Sequence, residues 1–306
     1  MRSLIKFYNR IKHHPFGGAS FVVLGAILTS INNSLTHSLP KILPSSQILF
    51  FKSIIGLMLI CLWQKGALKQ LLLTQYLKWH FLKGFSGAIG NAFWIAAVQI
   101  LPLAESSALS LTSALMTTAG AYCFFSENPT RQLMIAIIIG FIGVLLILKP
   151  TTAIFSVYSV YPLLSALAFS ASSLIVKKVS LRDSSRTTLA YLLLFMTLWS
   201  SIPAFYFFQS MSCLTVIKLC GIGLLYAMSQ IALIEAYTYT QAGFLAPFKF
   251  ARFPLAIFSG WLFFNEHFSW LTLIGGGIII ASYCYLGSTL NFQKNKNKPP
   301  NCLKEG

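Results

Sequence analysis

Lys249 and Arg252 stand three residues apart in a run otherwise made of Leu, Ala, Phe, Gly and Pro. In a helix they share one face. Charged side chains at membrane depth are costly and usually face a cavity or a partner. With Leu245 and Ala256 they form one stripe. Two cations so placed would hold an anionic group such as a carboxylate or phosphate; Glu235 or Glu105 are the carboxylates that would otherwise pair with them. Pro247 and Pro254 flank the pair. Each proline removes a backbone donor and frees carbonyls for a neighbour or a ligand, which suits a bent helix at a site or hinge.

The stripe has a counterpart. Ala97 to Glu127 matches Ala236 to Glu266 without a gap at an offset of 236 − 97 = 139. Subtracting that offset turns the cationic stripe into Ser106, Ser110, Ser113 and Thr117, a row of hydroxyls. One copy thus supplies positive charge and the other neutral hydrogen-bonding groups. The same offset relates Asn91 to Gln230, and Ser45-Ser46-Gln47 to Ser184-Ser185-Arg186. Trp94 and Tyr226 lie one helical turn from the amides, placed either to stack on a planar ligand or to pack in the core. Asn32 and Asn33 are adjacent, so one faces inward, with Asn33 favoured; Lys52 either pairs with Glu105 or meets the substrate. Glu127 and Glu266 close the two copies as helix-end anchors or as gate residues.

These side chains need apolar elements to carry them. The chain has 306 residues, 56% of them hydrophobic and 9% charged, with mean hydropathy +0.72. Soluble domains average about 25% charged residues. Apolar runs of bilayer length predict spans at 17–36, 46–63, 80–101, 104–124, 131–149, 158–177, 187–209, 214–238, 242–264 and 269–290. The fold class is therefore an all-α integral membrane protein. Residues 1–150 and 151–292 form two five-helix halves, and 293–306 is a basic, disordered cytoplasmic tail. Five being odd, the second half enters the membrane in the opposite sense, giving an inverted repeat of ten helices.

The net charge of +17 would suggest nucleic acid in a soluble protein, but here it follows topology. The flanks at 2–12, 65–83, 131, 177–186 and 294–304 hold 17 of the 23 Lys and Arg residues and lie on one side. Lys41, Lys149 and Lys218 lie on the other, and Lys52, Lys249 and Arg252 fall within spans. Both termini are thus expected in the cytoplasm. The six cysteines form no C-x-x-C pair and have no histidine partners, so neither a metal nor any other cofactor is expected.

Duplicated, oppositely oriented halves offer two equivalent gate positions around one site, the build of many secondary transporters. An anion-selective channel is the alternative. Gly84-Phe85-Ser86-Gly87 also matches the environment of an intramembrane protease serine, but no histidine lies mid-span after Ser86 to act as base. No enzyme is expected.

The chain resembles EamA-type members of the drug/metabolite transporter superfamily in five places. These are Phe81-Leu82-Lys83-Gly84, Pro102 to Ser110, Phe125-Ser126-Glu127, Gly140 to Pro150, and Ala246-Pro247-Phe248 through Gly260-Trp261-Leu262-Phe263-Phe264-Asn265-Glu266. Members often carry Arg where Lys52 stands, and Gly-Glu where Ser126-Glu127 and Asn265-Glu266 stand. The resemblance implies ten helices, cytoplasmic termini and carriage of small organic metabolites across the bacterial inner membrane. The pattern around Pro247 and Glu266 also resembles S-adenosylmethionine carriers. The expectation is an alternating-access carrier of a small, partly anionic metabolite, an amino acid or a derivative such as S-adenosylmethionine. Its partners are that substrate, the lipid bilayer, a coupling proton or counter-substrate, and a second copy in a homodimer. Glu235 is the carboxylate expected to carry a coupling proton.

Overall fold

The computed structural model describes residues 17–63, 74–113, 116–117, 120, 131–148, 157–179, 183–239, 252–266 and 269–296. Their regular structure is helical throughout. The first elements are α1 (Gly17–His37), α2 (Ser45–Trp63), α3 (Leu77–Ile100), α4 (Leu103–Ser110) and α5 (Arg131–Leu148). After a 3₁₀ turn at Val157–Ser159 come α6 (Val160–Val179), α7 (Ser185–Tyr206), α8 (Cys213–Tyr239), α9 (Arg252–Phe264) and α10 (Trp270–Lys296). Among the described residues four segments are long and apolar enough to cross a membrane: Ser45–Leu62, Leu77–Ile100, Ser185–Tyr206 and Cys213–Ala236.

Local chemistry sets the helix ends. Ser184 caps α7, its hydroxyl accepting the Thr187 N–H at 3.1 Å. Pro102 precedes α4, where its missing donor costs nothing. After α9, Asn265 takes a φ of 50°, a left-handed conformation that asparagine tolerates. The Glu266 N–H then returns to the Gly260 carbonyl at 3.1 Å. This turn fixes where the Glu266 side chain points.

Packing follows the offset found in the sequence. The starts of α2 and α7, at Ser45 and Ser185, and the ends of α3 and α8, at Ile100 and Tyr239, correspond within a residue at 139. α1 packs on α8, and α6 packs on α3. α2 meets α7; α3 also meets α7, and α2 also meets α8; α5 lies against α10. α9 rests on α1 and α4, and α4 also touches α6. Exchanging each helix for its counterpart leaves these pairings unchanged. The core is built from Ile48 and Leu49 of α2, Leu189 and Leu193 of α7 and Ile222 of α8. Leu24, Ile31, Met58, Ile138, Ile202 and Trp261 point outward. A surface this apolar suits lipid, and with lipid outside, close packing rather than water exclusion holds the helices together.

Candidate functional site

A cavity of about 150 Å³ lies among α1, α2, α3, α6, α7, α8 and α9. Asn32 and Asn33 come from α1, Lys52 from α2, Lys83, Asn91 and Trp94 from α3, Ser172 and Ser173 from α6, Tyr226, Ser229 and Gln230 from α8, and Arg252 from α9. Ser113 reaches it from just beyond α4.

One wall is a fixed polar network. Lys52, 2% exposed, donates to Asn91 Oδ1 at 2.8 Å, and its ammonium lies 4.2 Å from the centre of the Tyr226 ring. Asn91 Nδ2 donates to the Gly87 carbonyl at 2.8 Å and to the Tyr226 hydroxyl at 3.1 Å. The lysine thus finds an amide oxygen and an aromatic face, a pairing the sequence did not suggest. Trp94 Nε1 donates to Asn33 Oδ1 at 3.0 Å, while Asn32 donates to the Ile222 carbonyl at 2.7 Å. Both asparagines line the cavity, each anchored to a different partner.

The other wall is less satisfied. The Arg252 guanidinium lies 5.6 Å from the Trp94 ring centre and forms no ion pair among the described residues. Lys83, 1% exposed, reaches only the Thr188 carbonyl among the described residues, at 3.5 Å. The described lining contains three cations and no Asp or Glu. A buried cation is sustained only by a compensating partner, which an anionic or carbonyl-rich solute could supply here.

Lys83 corrects the charge map drawn from sequence, which placed it in a cytoplasmic flank at 65–83. α3 begins at Leu77, so Lys83 lies in its second turn and faces inward. The available signal was the spacing of His80 and Lys83, three apart like Lys249 and Arg252. A second unforeseen group stands one turn away. His80 is fully buried, its Nε2 lies 2.7 Å from Asp183 Oδ2, and the Thr74 hydroxyl donates to the same oxygen at 2.6 Å. Its ring stacks on Tyr191, with centroids 4.8 Å apart.

Other predicted residues lie elsewhere. Ser110 is buried and donates to the Ser107 carbonyl at 2.7 Å, away from the cavity. Glu235 is partly buried and Pro254 exposed, and neither lines the cavity. Glu266 stands at one end of the bundle. Both its carboxylate oxygens accept the Leu103 N–H at 3.1 Å, and His37 Nε2 lies 3.7 Å away. A carboxylate at the first turn of α4 complements that helix end. Lys249, Pro247 and Glu127 fall outside the described residues. Ser86 donates to the Lys83 carbonyl at 3.1 Å, and the described histidines are engaged elsewhere: His80 with Asp183, and His37 with the Val98 carbonyl. Among the described residues the serine therefore has no base.

Comparison with known proteins agrees with this architecture. Residues 16–149 match the EamA-like transporter family. The chain is 32% identical over 281 residues to a riboflavin transporter of Vibrio cholerae, covering 90% of this chain and 94% of that one. It is 28% identical to a pseudopaline exporter of Pseudomonas aeruginosa, covering 89% and 96%. It is 25% identical to an S-adenosylmethionine uptake transporter of Rickettsia prowazekii, covering 88% and 92%. A crystal structure with 15% identity aligns at a TM-score of 0.65 over 89% of this chain and 96% of that one, a likeness of fold. A helical bundle with apolar outer faces around a polar cavity, together with these relatives, places the chain in the EamA-like transporter family, as a membrane transporter and not an enzyme.

Proposed function

We propose that the chain is an alternating-access carrier for a small planar metabolite with an anionic or carbonyl-rich edge, acting in the bacterial inner membrane with both termini in the cytoplasm. The observation that carries this reading is the cavity itself: Lys52, Lys83 and Arg252 beside Trp94 and Tyr226, with no described carboxylate. In this reading Arg252 and Lys83 donate to the acceptor edge of the substrate, Trp94 covers its plane, and Asn33, Gln230 and Ser113 bond its polar substituents. The exchange of helix pairings at an offset of 139 supports ten helices in two inverted five-helix halves, related by a pseudo-two-fold axis in the membrane plane.

Riboflavin is the first candidate. Its flat ring system ends in two carbonyls, its tail is a row of hydroxyls, and the relative at 32% identity is a riboflavin transporter. S-adenosylmethionine also has a carboxylate and a flat base, but its sulfonium cation would face three cations. It therefore ranks second, although a relative bears that name.

The test is uptake into proteoliposomes of riboflavin, S-adenosylmethionine, amino acids and nucleotides, in the presence and absence of unlabelled compound inside. Saturable riboflavin uptake with counterflow is expected. In Lys83→Ala/Arg252→Ala the apparent affinity should fall at least about tenfold, since each charged hydrogen bond is worth about 1.5–3 kcal/mol. Equal affinity in the double variant would remove these cations from the site. Unsaturable flux without counterflow would identify a channel.

A further inference from the structure

We propose that His80 and Asp183 form a proton-binding site coupled to the cavity through Lys83, so that a proton moves with the substrate. The inference rests on the reading of Lys83 as a substrate ligand.

Nearly everything around the dyad is fixed. Asp183 Oδ2 already accepts the Thr74 hydroxyl at 2.6 Å, and an ionised carboxylate only accepts, so His80 must carry its proton on Nε2 to donate across the 2.7 Å separation. This leaves Nδ1 as the atom with an open lone pair, and it has no partner among the described residues. A proton arriving there makes an imidazolium held by Asp183. Asp183 and Thr74 are only partly buried, so they give the dyad its contact with water. The link also joins the two halves, since His80 belongs to α3 while Asp183 precedes α7.

Other titratable groups divide into two sets. Lys83 shares the His80 face of α3, and Tyr191 of α7 stacks on the ring. Lys178 of α6 and Arg186 of α7 lie at the same end but are exposed, Lys178 over the Trp79 ring at 3.9 Å. Among the described residues Lys83 is therefore the buried cation that a protonated His80 would face.

The coupling follows from charge. With the cavity empty, the Lys83 ammonium opposes a second positive charge one turn away. An acceptor group on Lys83 compensates that ammonium and makes the imidazolium easier to form. Substrate and proton thus favour each other, and the effect is reciprocal. A proton taken up at Nδ1 while the cavity faces one aqueous phase is released, together with the substrate, once the cavity faces the other.

Two measurements test this, one without any substrate. In the purified protein, ¹⁵N-histidine spectra at fixed neutral pH should show the imidazolium fraction of His80 rising severalfold in Lys83→Gln, with the signal assigned by its absence in His80→Gln. An unchanged fraction overturns the proposal whatever the substrate is. In proteoliposomes, a gradient of one pH unit, interior alkaline, should concentrate riboflavin about tenfold at one proton per molecule. His80→Gln and Asp183→Asn should let riboflavin equilibrate and go no further. Accumulation by either variant equal to wild type also overturns it. Absent riboflavin uptake together with the Lys83→Gln response would remove riboflavin as the substrate while supporting the dyad as a proton site.

Discussion

At the scale of single residues, Lys52 and Asn91 show why a buried charge and its partner respond differently to removal. Lys52 is enclosed, with Asn91 Oδ1 at 2.8 Å and the Tyr226 face as its contacts. Asn91→Ala strips the cation of its acceptor and leaves it buried, the costlier half of such a pair. Lys52→Met removes the charge and leaves one neutral amide oxygen short of a donor. Thermal unfolding in detergent should therefore place Asn91→Ala below Lys52→Met, by about 1–3 kcal/mol. The opposite order would mean that the ammonium, not the amide, holds this wall together. Asn91, Gln230, Asn33 and Trp94 were legible because an amide or indole in an apolar run has few other reasons to be there, and all four line the cavity. Lys83 and His80 were not. The predicted span 80–101 contains both, but a cation in the first turns of a span reads as part of the basic flank, and the backbone beginning at Leu77 shows that Lys83 lies inside.

At the scale of helices, the offset that aligns the sequence also aligns close contacts. Gly84 of α3 and Gly223 of α8 differ by 139. A methyl group on Gly84 would run into Phe195 of α7, and one on Gly223 would lie 2.7 Å from Ile55 Cγ2 of α2 and 3.1 Å from the Lys52 carbonyl. Equivalent glycines thus let equivalent helix pairs approach. Gly223→Ala should destabilise the bundle by about 1–3 kcal/mol through overpacking. Gly277→Ala, with nothing within 4 Å of the added carbon, should not. Melting temperatures of the two variants check this, and equal melting would show that α2 and α8 can separate freely. The apolar runs made the helices readable, because span length and hydropathy are set by the bilayer rather than by tertiary detail. Which helices pair was not readable, since one apolar face looks like another without its partner. The turn at Asn265 lay between these cases: a family position often occupied by Gly admits Asn because both tolerate positive φ.

At the scale of the whole molecule, the two ends of the bundle are built differently. One end is tied by several contacts between distant segments. Glu266 binds the Leu103 N–H, Gln47 exchanges two hydrogen bonds with the Gln209 backbone at 2.8 and 3.0 Å, and Lys218 donates to the Ser38 carbonyl at 3.2 Å. Toward the other end, the cavity lining extends along α1, α6 and α8 through Val22, Val176 and Ile234. Alternating access requires the tied end to open, and the energy to overcome is that of its contacts. Glu266 is the acidic member and joins the turn after α9 to the start of α4. Removing a charged hydrogen bond costs about 1.5–3 kcal/mol, which shifts a two-state equilibrium by roughly ten- to a hundredfold. Glu266→Ala should therefore favour the state open at that end. Ala26 lines the cavity. In a background with the native cysteines replaced, Ala26→Cys should react with a membrane-impermeant maleimide supplied on the Glu266 side at least about tenfold faster once Glu266→Ala is added. The rate from the Asp183 side should fall, because the two open states compete for one population. A rate from the Glu266 side that does not change would show that the Gln47 and Lys218 contacts hold the end shut without the carboxylate.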